Sequence, residues 1–167
     1  MSKKQLILLR HAKSSWEDDQ LVDHDRPLND RGRKAAKRIG RLLLEQRIVA
    51  DVVLCSTSVR TRETAKIVFS KWPERPEIWF RSDLYHASPE QMAVILAGLA
   101  DQQGSAMLIG HNPGFEQFLE QLTGQFVKFP TAAVAVLELD LEAWDQVSTA
   151  TRGRLVQLWK PKELTND

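Results

Sequence analysis

The chain has 167 residues, enough for a single domain with a substantial core. Its net charge of +1, with 43% hydrophobic and 27% charged residues, argues against nucleic acid or an anionic membrane as the partner. The single cysteine excludes an internal disulfide and a cysteine-based zinc site. No signal peptide or membrane-length apolar run is evident, so we expect one cytoplasmic domain over residues 1–167.

The first half of the chain alternates apolar strands with amphipathic helices. Asn29 is a good N-cap, and apolar residues recur after it at helical spacing. Pro73 and Pro76 are expected to break the second helix. The predicted elements are strands over residues 5–10, 51–55 and 78–80, a helix from Asn29 to about residue 46, and a helix that begins near Arg60. Such alternation is typical of βαβ units and predicts parallel strands.

The second half of the chain continues this pattern and then changes it. Ser88-Pro89 and Asn112-Pro113 both resemble helix starts, with a cap residue followed by proline. The predicted elements are helices from Ser88 to about residue 100 and from Asn112, strands over 106–109, 133–140 and 154–160, and a loose tail over 161–167. Only a short segment joins the last two strands, which favours antiparallel neighbours. The expected fold is an α/β three-layer sandwich whose mostly parallel central sheet is flanked by helices and has one antiparallel edge strand.

Three of the predicted strands lead into cationic or imidazole side chains. Arg10-His11 ends the first strand, Arg60 follows the second, and His111 follows the strand over 106–109. Parallel strands bind ligands at their shared carboxyl edge, and arginine makes paired bonds to phosphate. Taken singly, each residue has an ordinary structural alternative, such as a surface contact or a solvated helix face. Their joint placement at strand ends favours one anion-binding site.

These residues carry a resemblance to a known family. Leu-Arg-His at 9–11, Ser-x-x-x-Arg-x-x-x-Thr-Ala at 56–65 and Gly-His-Asn at 110–112 together resemble the histidine phosphatase superfamily, whose fold is phosphoglycerate-mutase-like. Arg-Pro-Leu-Asn-Asp-Arg-Gly at 26–32 is similar to its small SixA-type branch, the phosphohistidine phosphatases. The resemblance covers roughly residues 5–115. One departure is Ala12, where the family often has glycine.

The resemblance implies roles for the strand-end residues. His11 would be the nucleophile, Arg10 and Arg60 would hold the phosphate, His111 would assist at the oxyanion as an imidazolium, and Arg26 would be a further phosphate contact. A neutral imidazole is a competent nucleophile at pH 7 and can carry a phosphoryl group without a metal.

The remaining candidate residues are less specific. Asp83 is the nearest match to the carboxylate that larger relatives use as proton donor, although it could equally cap a turn. Asn112 would open a helix whose N-terminal amides add phosphate donors. His24 and His86 are interpreted as ordinary loop residues, and Cys55 as a small core residue.

The predicted function is a metal-independent phosphatase that works through a phosphohistidine on His11, with no cofactor. About fifty residues separate Arg60 from His111, which leaves no room for a lid domain. An open crevice favours phosphohistidine on a protein, such as a histidine-kinase or phosphotransfer domain. The alternatives are a small-molecule phosphomonoesterase of the same superfamily and a non-catalytic phosphate-binding module. The basic cluster over residues 31–41 is interpreted as a solvated helix face.

Overall fold

A computed structural model describes residues 3–163 and contains one six-stranded sheet with strand order β3-β2-β4-β1-β5-β6. The strands are β1 (Lys4–Arg10), β2 (Val52–Ser56), β3 (Ile78–Arg81), β4 (Ser105–Gly110), β5 (Val134–Leu139) and β6 (Gly153–Trp159). The helices are α1 (Asp30–Glu45), α2 (Val59–Val68), α3 (Pro89–Ala97) and α4 (Gly114–Thr123). Short 3-10 turns occupy Asp23–Asp25, Ser82–Leu84, Trp144–Gln146 and Pro161–Glu163.

The sheet is mostly parallel, as the sequence predicts. The parallel pairs are β3 with β2, β2 with β4, and β4 with β1. Strand β5 pairs antiparallel with both β1 and the edge strand β6. The predicted antiparallel pairing of the last two strands is confirmed. Because β1, β4 and β2 are adjacent and parallel, their carboxyl ends meet at one edge of the sheet.

Helices cover both faces of the sheet and bury one core on each side. Alternate residues of β1 point to opposite faces: Leu6 and Leu8 pack with α3 and α4, whereas Ile7 and Leu9 pack with α1 and α2. All four side chains are fully buried. This arrangement confirms the three-layer α/β sandwich. Cys55 lies in the second core, and burial raises the pKa of its thiol to about 12, so it is inert core packing.

The helix starts follow local capping chemistry. The Asn29 side chain accepts a hydrogen bond from the Gly32 amide at 2.8 Å, and Ser88 forms a capping box with Gln91. Three boundaries differ from the prediction. Helix α3 ends at Ala97 rather than near residue 100. Helix α2 ends at Val68, before either proline, and α4 begins only at Gly114.

Within the described residues, no helix is long and apolar enough to cross a membrane. Of the predicted loose tail, residues 161–163 form a 3-10 turn and residues 164–167 lie outside the described part of the chain.

Candidate active site

The ends of β1, β4 and β2 bring the cationic and imidazole residues together. Arg10 is in register with Gly110 on the neighbouring strand, and the His11 amide donates a hydrogen bond to the Gly110 carbonyl at 3.1 Å. The side chains line one open crevice of about 380 Å³. Six of the site residues predicted from the sequence line this crevice: Arg10, His11, Arg26, Arg60, His111 and Asn112. Six others also line it: Lys13, Ser14, Trp16, Asp23, His86 and Thr131.

His11 is held in one tautomer by its own backbone neighbourhood. Its Nδ1 lies 2.7 Å from the Ala12 carbonyl oxygen, which can only accept, so Nδ1 carries the proton. The Nε2 lone pair then faces the Nε of Arg60 at 3.4 Å. Ala12 is itself fully buried, and its amide donates to Thr64 Oγ1 at 3.0 Å. The buried position of Ala12 explains why a small residue stands there.

His111 takes the opposite tautomer. Its Nδ1 lies 3.5 Å from a guanidinium nitrogen of Arg60, which can only donate, so Nδ1 accepts. Its Nε2 therefore carries the proton and donates to Ser56 Oγ at 2.8 Å. The two imidazole rings lie 5.3 Å apart. Arg60 thus contacts the unprotonated nitrogen of both histidines.

Both imidazoles are neutral in this environment. Burial lowers the pKa of His11 to about 3, and the charges of Arg60, Arg10 and Arg26 act in the same direction. Burial also holds the pKa of His111 well below its usual value, with His11 and Arg60 adding to the effect. His111 is therefore neutral in the ligand-free site, because a buried cation beside arginine is unfavourable. Its expected imidazolium form in contact with phosphate stays a prediction. A phosphate dianion would act in the opposite direction and raise both pKa values.

The two central arginines differ in how their donors are satisfied. Arg60 is 2% exposed and also donates to the Asp23 backbone carbonyl and carboxylate, at 2.7 and 2.9 Å. Arg10 donates to the Phe129 carbonyl at 3.2 Å, while its buried Nε has no hydrogen-bond partner. An unsatisfied buried donor is unfavourable, so Arg10 Nε is a ready contact for an anion in the crevice.

Asp23 is the main residue that sequence reasoning missed. Its carboxylate accepts hydrogen bonds from Arg26, Arg60 and the Tyr85 hydroxyl, and it lies 3.1 Å from His86 Nε2. Desolvation raises the pKa of this carboxyl, but these hydrogen bonds and charges outweigh it and hold the pKa well below its usual range. Asp23 is therefore ionised. Asp23 lies three residues before the Arg26-Pro27-Leu28 motif, but its partners Tyr85 and His86 are more than sixty residues away, so the motif alone does not reveal its role.

Arg26 is anchored at the mouth of the crevice. It is 7% exposed, donates to Ser14 Oγ at 2.7 Å and to the Asp23 carboxylate at 3.0 Å, and stacks on the Trp16 ring at 3.4 Å. Trp16 is itself 75% exposed. The stacked pair gives the crevice an aromatic rim.

The structure does not bring Asp83 to the crevice. Its carboxylate is exposed and accepts hydrogen bonds from Arg81 at 2.6 and 3.1 Å, so its nearest partner lies on the surface.

His86 lines the crevice, so its interpretation as an ordinary loop residue is wrong. It was missed because its contact with Asp23 spans 63 residues of sequence.

Asn112 lines the crevice but does not begin α4. Its side-chain Nδ2 donates to the Phe129 carbonyl at 2.8 Å, and its side-chain Oδ1 accepts from the Glu116 backbone amide at 3.3 Å. The N-cap of α4 is Pro113, which makes no side-chain cap. Asn112 therefore ties the loop after β4 to the segment before β5.

Comparison with known proteins agrees with this fold and site. Residues 6–84 match the histidine phosphatase superfamily (branch 1). An uncharacterized chloroplastic protein of Arabidopsis thaliana is 32% identical over 152 residues, which cover 86% of this chain and 70% of that protein. The chain belongs to the histidine phosphatase superfamily.

Solved structures show which branch of the superfamily the chain resembles. A crystal structure named as a phosphohistidine phosphatase SixA of Agrobacterium tumefaciens has a TM-score of 0.82 and 30% identity, covering 96% of this chain and all of that one. The protein histidine phosphatase SixA in complex with tungstate has a TM-score of 0.81 at 20% identity, covering 96% of this chain and 99% of that one, and shows the shared fold. The predicted resemblance to the SixA-type branch is thereby confirmed.

Proposed function

We propose that this protein is a phosphohistidine phosphatase that removes the phosphoryl group from a histidine of another protein and carries it transiently on His11. The proposal rests on one observation above the others. Among the described residues that line the crevice, Asp23 is the only carboxylate, and it is held ionised by Arg26, Arg60 and Tyr85. An ionised carboxylate cannot donate a proton to a leaving group.

The leaving group decides whether a proton donor is needed. An alkoxide leaving from a phosphate ester is strongly basic, so its departure depends on a positioned acid worth about 10²- to 10⁴-fold in rate. A phosphohistidine that takes up a proton from solvent on its other ring nitrogen releases neutral imidazole, which is only weakly basic, so no acid of the enzyme is needed. A crevice that offers cations but no carboxylic acid therefore suits phosphohistidine better than an alkyl phosphate.

The geometry supports His11 as the acceptor. His11 Nε2 attacks phosphorus and a P–N bond forms to His11. The P–N bond to the substrate imidazole breaks, and this ring, which carries a proton on its other nitrogen, leaves as neutral imidazole. Arg60 and the unpartnered Nε of Arg10 neutralise the charge on the phosphoryl oxygens during transfer. Water then attacks phosphorus, the P–N bond to His11 breaks, and inorganic phosphate leaves while the proton of the water passes to solvent.

His111 supports both steps from the other side of Arg60. Approach of a dianionic phosphoryl group raises the pKa of its buried imidazole, because opposite charge favours the protonated form. Protonated His111 then donates from Nδ1 to a phosphoryl oxygen while Nε2 remains bound to Ser56. His111 is thus neutral before the substrate binds and cationic in the complex.

A protein substrate fits the shape of the crevice. Between Arg60 and His111 the chain builds only α2, β3, α3, β4 and their connections. None of these described elements closes over the crevice as a separate lid. The side chain of a phosphorylated protein can enter such an opening while its backbone stays outside.

The test uses a phosphotransfer domain labelled with ³²P on histidine. Incubation with catalytic amounts of this protein should release the label as inorganic phosphate, and a rapid quench into alkali should trap part of it on the peptide that contains His11. Phosphoramidates of imidazole survive alkali and are lost in acid. Stable label on the phosphotransfer domain alongside rapid hydrolysis of an alkyl phosphate would contradict the proposal.

A further inference from the structure

A second cavity, of about 260 Å³, lies beside the active-site crevice. We call it the basic groove and define it by its five cationic side chains: Lys13, Arg31, Lys34, Arg38 and Lys162. Ala35, Pro130, Thr131 and Pro161 complete its lining. Lys13 and Thr131 line both cavities, so the groove adjoins the crevice.

The fold places these cations together from three separate segments. Arg31, Lys34 and Arg38 are spaced by three and four residues and therefore share one face of α1. Helix α1 lies directly against the chain that leaves β1, because a Cβ on Gly32 would come within 2.1 Å of the Lys13 carbonyl oxygen. The 3-10 turn Pro161–Glu163 adds Lys162 to the same groove.

The charge of the groove contrasts with that of the whole chain. The chain has 23 basic and 22 acidic residues, yet no described side chain that lines the groove is acidic. The sequence pattern of residues 31–41 indicates a solvated helix face. This pattern could not include Lys13 and Lys162, because these residues join the face from distant segments of the chain. A concentration of one charge in a cleft next to an active site raises the local concentration of an oppositely charged substrate.

We propose that the basic groove binds a run of aspartate or glutamate residues in the phosphorylated protein, close to its phosphohistidine. This inference rests on the proposed function and extends it to substrate selection. The cations are spread rather than convergent: Arg31 and Arg38 lie about 10 Å apart along the helix. An extended acidic segment can contact several of them, whereas a single phosphate cannot.

The composition of the groove disfavours nucleic acid as its occupant. Single-stranded nucleic acids bind through aromatic side chains on which the bases stack. None of the described residues lining the groove is aromatic. A carboxylate-rich peptide needs only the distributed positive charge that the groove provides.

The groove should act on binding and leave the chemical step unchanged. Lys13, Arg31, Lys34 and Lys162 are exposed, so salt screens their attraction for carboxylates. Charges at the rim of an interface change association rate and salt dependence more than they change the bound complex. We therefore expect an effect on KM for acidic substrates, with kcat preserved.

The experiment compares two synthetic peptides that differ only beside one histidine, one having four glutamates there and the other four glutamines. Unphosphorylated peptides are used for binding by fluorescence anisotropy, and phosphohistidine forms are used for turnover. The test variant is Arg31→Glu/Lys34→Glu. The matched control, Lys66→Glu/Lys71→Glu, makes the same charge change on exposed residues that line neither cavity. Lys162→Glu tests the groove from an independent segment.

At low salt, the wild-type protein should bind the glutamate peptide at least about tenfold tighter than the glutamine peptide, and salt of about 0.5 M should abolish the difference. Arg31→Glu/Lys34→Glu should remove this selectivity and Lys162→Glu should reduce it. The control should retain it, and all variants should hydrolyse an aryl phosphate at the wild-type rate, which shows that they are folded.

Equal binding of the two peptides, or equal losses in the test and control variants, would overturn the role of the groove. Tighter binding of an oligouridylate than of the glutamate peptide would also overturn it, in favour of nucleic acid. A retained preference for glutamate with no loss of phosphate from either phosphopeptide would support the groove as an acidic-peptide site. That result would overturn the proposed function alone.

Discussion

The two walls of the crevice are built in contrasting ways. The inner wall consists of residues at strand ends and in the first turn of α2, and the outer wall consists of loop residues. The inner-wall residues are His11, Arg60 and His111, which are 2–6% exposed. The outer-wall residues are Trp16, which is 75% exposed, and Asp23 and His86, whose side chains are 41% and 49% exposed. The inner wall holds neutral imidazoles in fixed tautomers beside a buried cation. The outer wall carries exposed charge and an aromatic ring.

The buried inner wall suits catalysis, and the exposed outer wall suits contact with a substrate. Buried groups with fixed hydrogen bonds keep their orientation through the reaction, which transition-state stabilisation requires. Exposed groups on loops can adapt to a protein surface and exchange hydrogen bonds with solvent. Asp23 connects the walls, because its carboxylate belongs to the outer wall and binds Arg60 of the inner wall.

The largest effect is expected for His11→Ala, which removes the nucleophile from the inner wall. Turnover should fall on the order of 10⁴-fold or more, as for loss of a catalytic nucleophile, and alkali-stable label should disappear. His86→Ala is the matched control, because it removes an imidazole from the outer wall of the same crevice. Rapid-quench labelling measures both. Label that persists in His11→Ala would assign the nucleophile to another residue.

The next effect is that of Arg60→Lys, which keeps the charge but removes the planar fork. An ammonium cannot contact His11, His111 and Asp23 together, so kcat should fall about a hundredfold, the usual cost of one preorganised donor. Arg62→Lys is a suitable control, because this exposed neighbour donates to the Thr57 carbonyl outside the crevice. Steady-state kinetics measure both variants. Equal activity of the two would remove Arg60 from the reaction.

The buried imidazoles should also make stability depend on pH. His11 and His111 have folded-state pKa values below the unfolded value of 6.5, so the unfolded chain takes up protons first as the pH falls. The free energy of unfolding should therefore decrease below pH 6.5, by at most about 1.4 kcal/mol per pH unit for each histidine. For His11 this loss continues towards pH 3.

Urea unfolding between pH 6.5 and about 4.5 measures this slope. The upper part of the acid range is chosen because Asp23, whose pKa is also depressed by folding, loses its contribution only as the pH falls below its unfolded value of 3.8. The variant His11→Gln should show a shallower slope than the wild type. Identical slopes would mean that His11 is not buried as a neutral group.

The smallest effect concerns the carboxylate that links the two walls. Asp23→Asn removes a negative charge that binds Arg60 and Arg26, so inorganic phosphate and tungstate should inhibit about three- to tenfold more strongly. Asp83→Asn is the control and should be unchanged on alkyl phosphate and phosphohistidine substrates, since its partner is Arg81. Inhibition constants provide the measurement. A selective loss of alkyl phosphatase activity in Asp83→Asn would restore Asp83 as the proton donor.

The sequence by itself determined the inner wall. Strand periodicity, cap residues such as Asn29 and Ser88, and short motifs at strand ends are local signals, and parallel pairing brings strand ends to one edge. Arg10, His11, Arg60 and His111 were therefore predictable as a group. The buried state of the core strands followed from the same periodicity.

Only the tertiary structure decided the outer wall and the basic groove. Asp23 contacts Tyr85 across 62 residues, and the groove joins Lys13, α1 and Lys162 from separate segments. No local pattern encodes such contacts, because loops have no periodicity and their positions depend on how distant elements pack. The pKa values of the imidazoles belong to the same category, since burial and neighbouring charge exist only in the folded chain.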